Sequence, residues 1–231
     1  MSEFSDKAFI FDMDGTLVDN MKVHAEAWVK LFEEIGMKMN AEDFRVKTAG
    51  KTNPEIFRNI FGPGIRDEKI QELSERKEVI YRESFRAYLQ PLAGAIEFLD
   101  EAQSLGVKMA VATSAPDKNI EFVLDGLHLR HYFQAVVGAA DITNGKPHPE
   151  IFLKSAERLS VGPESCLVFE DALNGFEAAH RAGMQSVAIA TVNSLEELIN
   201  LPSVVVAAKD FVGLDPADLT ANYLMLEAVA D

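Results

Sequence analysis

Phe9-Ile-Phe-Asp-Met-Asp-Gly-Thr-Leu-Val-Asp19 sets an apolar run directly ahead of two carboxylates, Asp12 and Asp14, with Gly15 and Thr16 behind them. Side chains alternate along a strand, so Asp12 and Asp14 are expected on one side at the strand's C-terminal end. That end is where open parallel sheets bind ligands. Two carboxylates this close repel each other and need a cation or a shared proton. Hard oxygen ligands of this kind suit Mg2+. The plainer alternative is an aspartate turn closing a strand, with Gly15 supplying the bend.

Working outward, short apolar runs alternate with amphipathic stretches. Strands are expected at Ala8–Phe11, Met109–Thr113, Ala135–Val137, Cys166–Phe169, Ser186–Ala190 and Val204–Ala207. Their near-continuous apolar character suits strands buried on both faces. Helical periodicity marks Ala95–Leu105, Lys118–Leu127, Glu150–Leu159, Leu173–Ala182, Leu195–Ile199 and Pro216–Val229. Gly94, Gly106, Gly126, Gly162 and Gly183 stand where those helices start or stop. The pattern predicts an α/β fold with a doubly wound, mainly parallel, Rossmann-like sheet.

One region breaks the alternation. Between Asn20 and Tyr88 there are only helical patterns: Met21–Ile35, with Val23, Ala27, Leu31 and Ile35 on one stripe, and the charged Asp67–Tyr88 after a Gly62-Pro63-Gly64 turn. The expected organisation is a catalytic core of residues 1–18 and 90–231, with an inserted all-helical cap domain at 19–89 joined by two crossings that form a hinge.

Composition narrows the class. Of 231 residues, 48% are hydrophobic and 26% charged, the balance of a globular chain able to bury a large core. No apolar run approaches the roughly 20 residues needed to span a bilayer, and the N-terminus lacks the pattern of a secretory signal. A single cysteine, Cys166, rules out a disulfide within the chain and points to a reducing, cytoplasmic setting. The net charge of −15 argues against nucleic-acid and membrane-surface partners. The chain is expected to be a monomer or small homo-oligomer. An anionic substrate then requires a local positive site.

Three further segments supply candidates. Thr113, ahead of Ser114 in Met109-Ala-Val-Ala-Thr-Ser114, is a hydroxyl at a strand end that can donate to a phosphoryl oxygen, helped by N–H groups of the following turn. Lys146, in Asn144-Gly-Lys-Pro-His-Pro-Glu150, is a compact positive charge in a loop, and Pro147 keeps it out of helix. Glu170 and Asp171, in Val168-Phe-Glu-Asp-Ala172, are again carboxylates at a strand end. If strand geometry persists they point to opposite sides, and only one of them faces a metal.

Together with Asp12-x-Asp14-Gly15-Thr16, these four ordered motifs resemble those of the haloacid dehalogenase superfamily across essentially the whole chain. The resemblance implies Asp12 as a nucleophile that forms an aspartyl-phosphate, and Asp14 as the acid and base. It implies Lys146 as the charge partner, and Thr113 and Ser114 as phosphate contacts. Mg2+ would be held by Asp12, the main-chain carbonyl of Asp14 and Asp171, with Glu170 acting through water or directly. Metal-free dehalogenases and phosphonate-cleaving relatives lack an acid at the position of Asp14, and transport ATPases need membrane helices. A phosphatase or a phosphomutase remains, and the resemblance implies a small phosphorylated metabolite as the partner.

The helical insertion is similar to that of the β-phosphoglucomutase-like subgroup. His24, Trp28 and Lys77 lie where the mutase carries such residues, and His24 and Trp28 share a helical face. Asn53 stands where the mutase's phosphate-gripping arginine falls, with Lys51 or Lys77 as substitutes. Loss of a bidentate anion clamp favours a phosphatase acting on sugar phosphates. A phospho-accepting signalling module, the rival from another class, would be shorter and would lack the insertion. Cys166 and His128, His131, His148 and His180 read as core or surface residues, with no zinc spacing among them.

Overall fold

The computed structural model describes residues 4–38 and 52–224. In chain order the elements are β1 (Ala8–Phe11), α1 (Met21–Glu34), α2 (Asn53–Phe61), α3 (Asp67–Phe85), α4 (Ala95–Leu105), β2 (Lys108–Ala112) and α5 (Asp117–Ile120). They continue with β3 (Ala135–Val137), α6 (Glu150–Leu159), β4 (Cys166–Glu170), α7 (Leu173–Arg181), β5 (Gln185–Ile189), α8 (Leu195–Ile199), β6 (Val204–Ala208) and α9 (Pro216–Tyr223).

All six strands form one parallel sheet in the order β3-β2-β1-β4-β5-β6. This is the doubly wound α/β arrangement, and its winding direction reverses between β1 and β4. The centre is apolar on both faces. Phe9 and Phe11 of β1 meet Phe98, Phe169 and Phe211 on one side, with Phe11 and Phe169 stacked at 4.6 Å. Ala8 and Ile10 join Val168, Ile151, Phe152, Ala178 and Ala179 on the other. Each buried aromatic side chain contributes about 2–3 kcal/mol to holding β1 in the middle.

The chain divides into two compact units, one of residues 1–19 and 90–231, the other Asn20–Leu89. In the second unit the described residues form helices and no strand. The stripe of α1 is turned from the expected one. Ala27, Trp28, Leu31 and Phe32 are buried, while Val23 is only half-buried and Ile35 is exposed beyond the helix end. Trp28 packs on Phe32 and Phe57, and the larger area of the two aromatics decides which face turns inward.

Several element ends differ from expectation, those of β4, β6 and α7 by a single residue. β2 and β5 each sit one residue earlier, so Thr113 and Ala190 lie just past their strands. The helix expected over Lys118–Leu127 is α5 followed by a π-helical turn, Glu121–Asp125, which keeps Val123 and Leu124 both buried. The last turn before Tyr88 tightens to a 3-10 helix, Arg86–Tyr88. α9 ends at Tyr223; the rest of the expected terminal helix, beyond 224, lies outside the described residues.

Candidate active site

The strand register brings the acids together. Phe11 is level with Val111 on one side and Phe169 on the other, so Asp12, Ala112 and Glu170 stand abreast at the C-terminal edge of three adjacent strands. The Asp12 N–H donates to the Phe169 carbonyl at 2.9 Å, which holds the residue at the strand's mouth. Asp12 and Glu170 also share the parity of Ile10 and Val168, and so face the same side of the sheet. This is the point where the winding reverses, the usual place for a ligand.

Lys146 reaches over this edge from its loop. Its ammonium donates to Asp12 Oδ1 at 2.6 Å, to Glu170 Oε1, and to the Ala112 carbonyl at 3.3 Å, with the Phe152 ring beneath it at 5.1 Å. The second Glu170 oxygen accepts from the Asp171 and Ala172 N–H groups at 2.9 and 3.0 Å. Glu170 is therefore held at both oxygens. Asp171 lies past the end of β4, where strand alternation no longer applies. The expectation that Glu170 and Asp171 point apart is thus corrected: Asp12, Glu170 and Asp171 each place a carboxylate oxygen within 4.8 Å of the others. The half-buried Asp14 carboxylate is not a member of that group.

The electrostatics are those of a buried acidic cluster beside the Lys146 ammonium. Burial, partly offset by Lys146, raises the Asp12 carboxyl from its ordinary 3.8 to about 7. Burial and the charges of Glu170 and Asp12 push Asp171 well above the usual carboxylate range. Burial works against the Lys146 charge, but Asp12 and Glu170 outweigh it and hold the ammonium protonated.

The residues fit a divalent cation. Asp171 Oδ2 is buried with no hydrogen-bond partner, in a cluster whose donors are all hard carboxylate oxygens. Gly15, at φ +84°, leaves room beside that oxygen; a Cβ there would lie 2.2 Å from it. Gly175 does the same for Glu170, where a Cβ would meet the carboxyl carbon at 2.0 Å.

Thr113 is buried one residue beyond β2, and its Oγ1 accepts from the Ala115 N–H at 3.1 Å. The hydroxyl hydrogen is then free to point elsewhere. Ser114 is exposed. In the helical unit, His24, Asn53 and Lys77 belong to one network. The buried Lys77 ammonium donates to His24 Nδ1 at 2.8 Å and to Glu78 Oε1 at 3.0 Å, and Asn53 donates to the same Glu78 oxygen at 2.9 Å. His24 stacks on Tyr81 at 3.8 Å. Lys51 lies outside the described residues.

Two polar residues beside the cluster went unread in the sequence. Thr191 Oγ1 donates to the Gly15 carbonyl at 2.5 Å, and Asn193 Nδ2 to the Asp171 carbonyl at 3.0 Å. Their signal was position: both follow the strand next to β4, in Ala190-Thr-Val-Asn-Ser194.

Fold and cluster together define a doubly wound α/β protein with a buried acidic group at the switch point of its sheet. A family model described as haloacid dehalogenase-like hydrolase matches residues 9–189, and the chain belongs to that family. It is 34% identical to a phosphorylated carbohydrates phosphatase of Thermotoga maritima, over 83% of this chain and 88% of the relative. It is also 34% identical to a fructose-1-phosphate phosphatase of Escherichia coli, over 77% and 93%. Among solved structures it is similar to a β-phosphoglucomutase of Clostridium difficile, with a TM-score of 0.78 at 27% identity over 94% and 96% of the two chains. The chain is an enzyme of this hydrolase family, which excludes the signalling-module alternative.

Proposed function

We propose that this protein is a Mg2+-dependent phosphatase that hydrolyses a small phosphate monoester, a sugar phosphate, through a covalent intermediate on Asp12. The observation that carries the reading is the Lys146 ammonium bridging Asp12 and Glu170 beside the unpartnered Asp171 oxygen.

Asp12 attacks phosphorus in line, and the bond from phosphorus to the sugar oxygen breaks. The half-buried Asp14 gives its proton to the leaving oxygen. It then takes a proton from the water that attacks the aspartyl-phosphate, releasing phosphate and restoring the Asp12 carboxylate. Lys146 balances negative charge at Asp12 throughout, and Thr113 donates its free hydroxyl hydrogen to a phosphoryl oxygen. Mg2+, bound by Asp12, Asp171 and the Asp14 carbonyl, with Glu170 direct or through water, would supply positive charge against the carboxylate and the phosphoryl group.

Phosphatase is preferred to phosphomutase because Lys77 spends its charge on Glu78, and Asn53 is bonded to the same carboxylate. Neither offers a free cation to a second phosphate. The carbohydrate phosphatases among the relatives point the same way, while the mutase neighbour supports the alternative. A phosphate-release screen over sugar phosphates, nucleotides and pyrophosphate tests the choice. Release of phosphate from sugar phosphates is expected. Glucose 6-phosphate accumulating from β-glucose 1-phosphate without phosphate release would reverse it.

A further inference from the structure

We propose that Thr191 and Asn193 are positioning residues that set the spacing of the two acid-bearing loops, and through it the affinity for the divalent cation. The proposal rests on the phosphatase reading of this site.

Glu170 of β4 pairs with Ala188 of β5, so the chain leaving β5 passes directly over the ends of β1 and β4. Within three residues it delivers two donors to two different loops. Thr191 holds the Gly15 carbonyl, 176 residues away in sequence, and Asn193 holds the Asp171 carbonyl. The donors are themselves anchored. Ala190 N–H donates to the Ala208 carbonyl of β6 at 2.8 Å. Ser194 opens α8 in a capping box, its N–H and hydroxyl on the Glu197 carboxylate at 3.0 and 2.8 Å. A strand ladder on one side and a capped helix on the other fix the segment between them.

Spacing matters because the loops nearly touch. Gly15 approaches so closely that a Cβ would lie 2.2 Å from Asp171 Oδ2, the buried oxygen without a partner. The Gly15 loop carries Asp12 and Asp14. A small outward movement of the Gly15 peptide would therefore change the separation of the oxygens that hold the cation. Hydrogen bonds one shell behind metal ligands are worth on the order of 10–100-fold in metal affinity. Val192, between the two donors, is half exposed and serves as a control.

The test measures Mg2+ binding to the full chain by calorimetry without substrate, alongside kcat and KM for p-nitrophenyl phosphate at saturating Mg2+ and the melting temperature of the metal-free protein. Thr191→Val should weaken Mg2+ binding on the order of tenfold, lower kcat and leave KM within about twofold; Thr191→Ser should restore both. Asn193→Ala should act in the same direction, so the proposal stands or falls on it where Thr191→Val does not fold. Val192→Ala should change nothing. Unchanged Mg2+ affinity in Thr191→Val and Asn193→Ala, even with lowered melting temperature, would overturn the proposal and leave a purely structural tie. No Mg2+ binding or turnover in the unaltered protein would instead remove the phosphatase reading.

Discussion

Asp12 combines three conditions that separately would be unremarkable: burial, a carboxylate neighbour and a lysine on one oxygen. Burial favours its neutral form and Lys146 its charged form, and the balance lies near pH 7 in the metal-free chain. The consequence for stability has a definite sign. Below about pH 4 the proton is bound in both folded and unfolded chains; between the ordinary 3.8 and about 7 the folded chain keeps it and the unfolded chain does not. Chelator-treated protein should lose stability as pH rises across this window, and urea midpoints at pH 5 and pH 8 read it directly. The drop should shrink in Asp12→Asn. A midpoint that rises over the same interval would contradict the assignment. Asp12→Asn should also cut kcat by about 10⁴-fold or more while the far-ultraviolet spectrum stays native.

At the scale of elements, α7 and β4 meet through a missing side chain. Gly175 lets the helix lie against Glu170, whose carboxylate cannot retreat because Lys146 and two N–H groups hold it. Gly175→Ala should cost about 1–3 kcal/mol by overpacking and weaken metal binding; a denaturation curve and a Mg2+ titration check both. The strands were legible in advance because β1, β2 and β4 are apolar on both faces, a pattern only a covered parallel sheet satisfies. The end of β4 was not. Whether Asp171 continues the pleat depends on the Glu170 oxygen that captures the Asp171 and Ala172 N–H groups, and no local sequence rule encodes that contact. The π turn after α5 and the rotated stripe of α1 escaped for another reason: packing partners distant in sequence decide them. Thr191 and Asn193 are ordinary loop residues until the sheet order places β5 beside β4.

Across the whole molecule, a chain with net charge −15 sets the Lys146 ammonium among its buried acids, and the ordered motifs of the family resemblance named Lys146, Asp12 and Asp171 together. The fold also hides its single thiol. Cys166 opens β4 buried, with burial and the nearby Glu164 charge raising it to about 12. Ellman's reagent should therefore find almost no reactive thiol in native protein and one per chain in denaturant, so that its rate reports global opening. Rapid native labelling would contradict the placement of that strand. The central claim is that phosphate passes through Asp12. Acid-quenched protein, mixed with Mg2+ and p-nitrophenyl phosphate, whose leaving group needs no proton, in the Asp14→Asn variant to slow breakdown of the intermediate, can be mapped by peptide mass spectrometry. A phosphoryl adduct on Asp12, absent in Asp12→Asn and in chelator, is the expected result. Sustained phosphate release by Asp12→Asn, with no adduct on any peptide, would contradict the account.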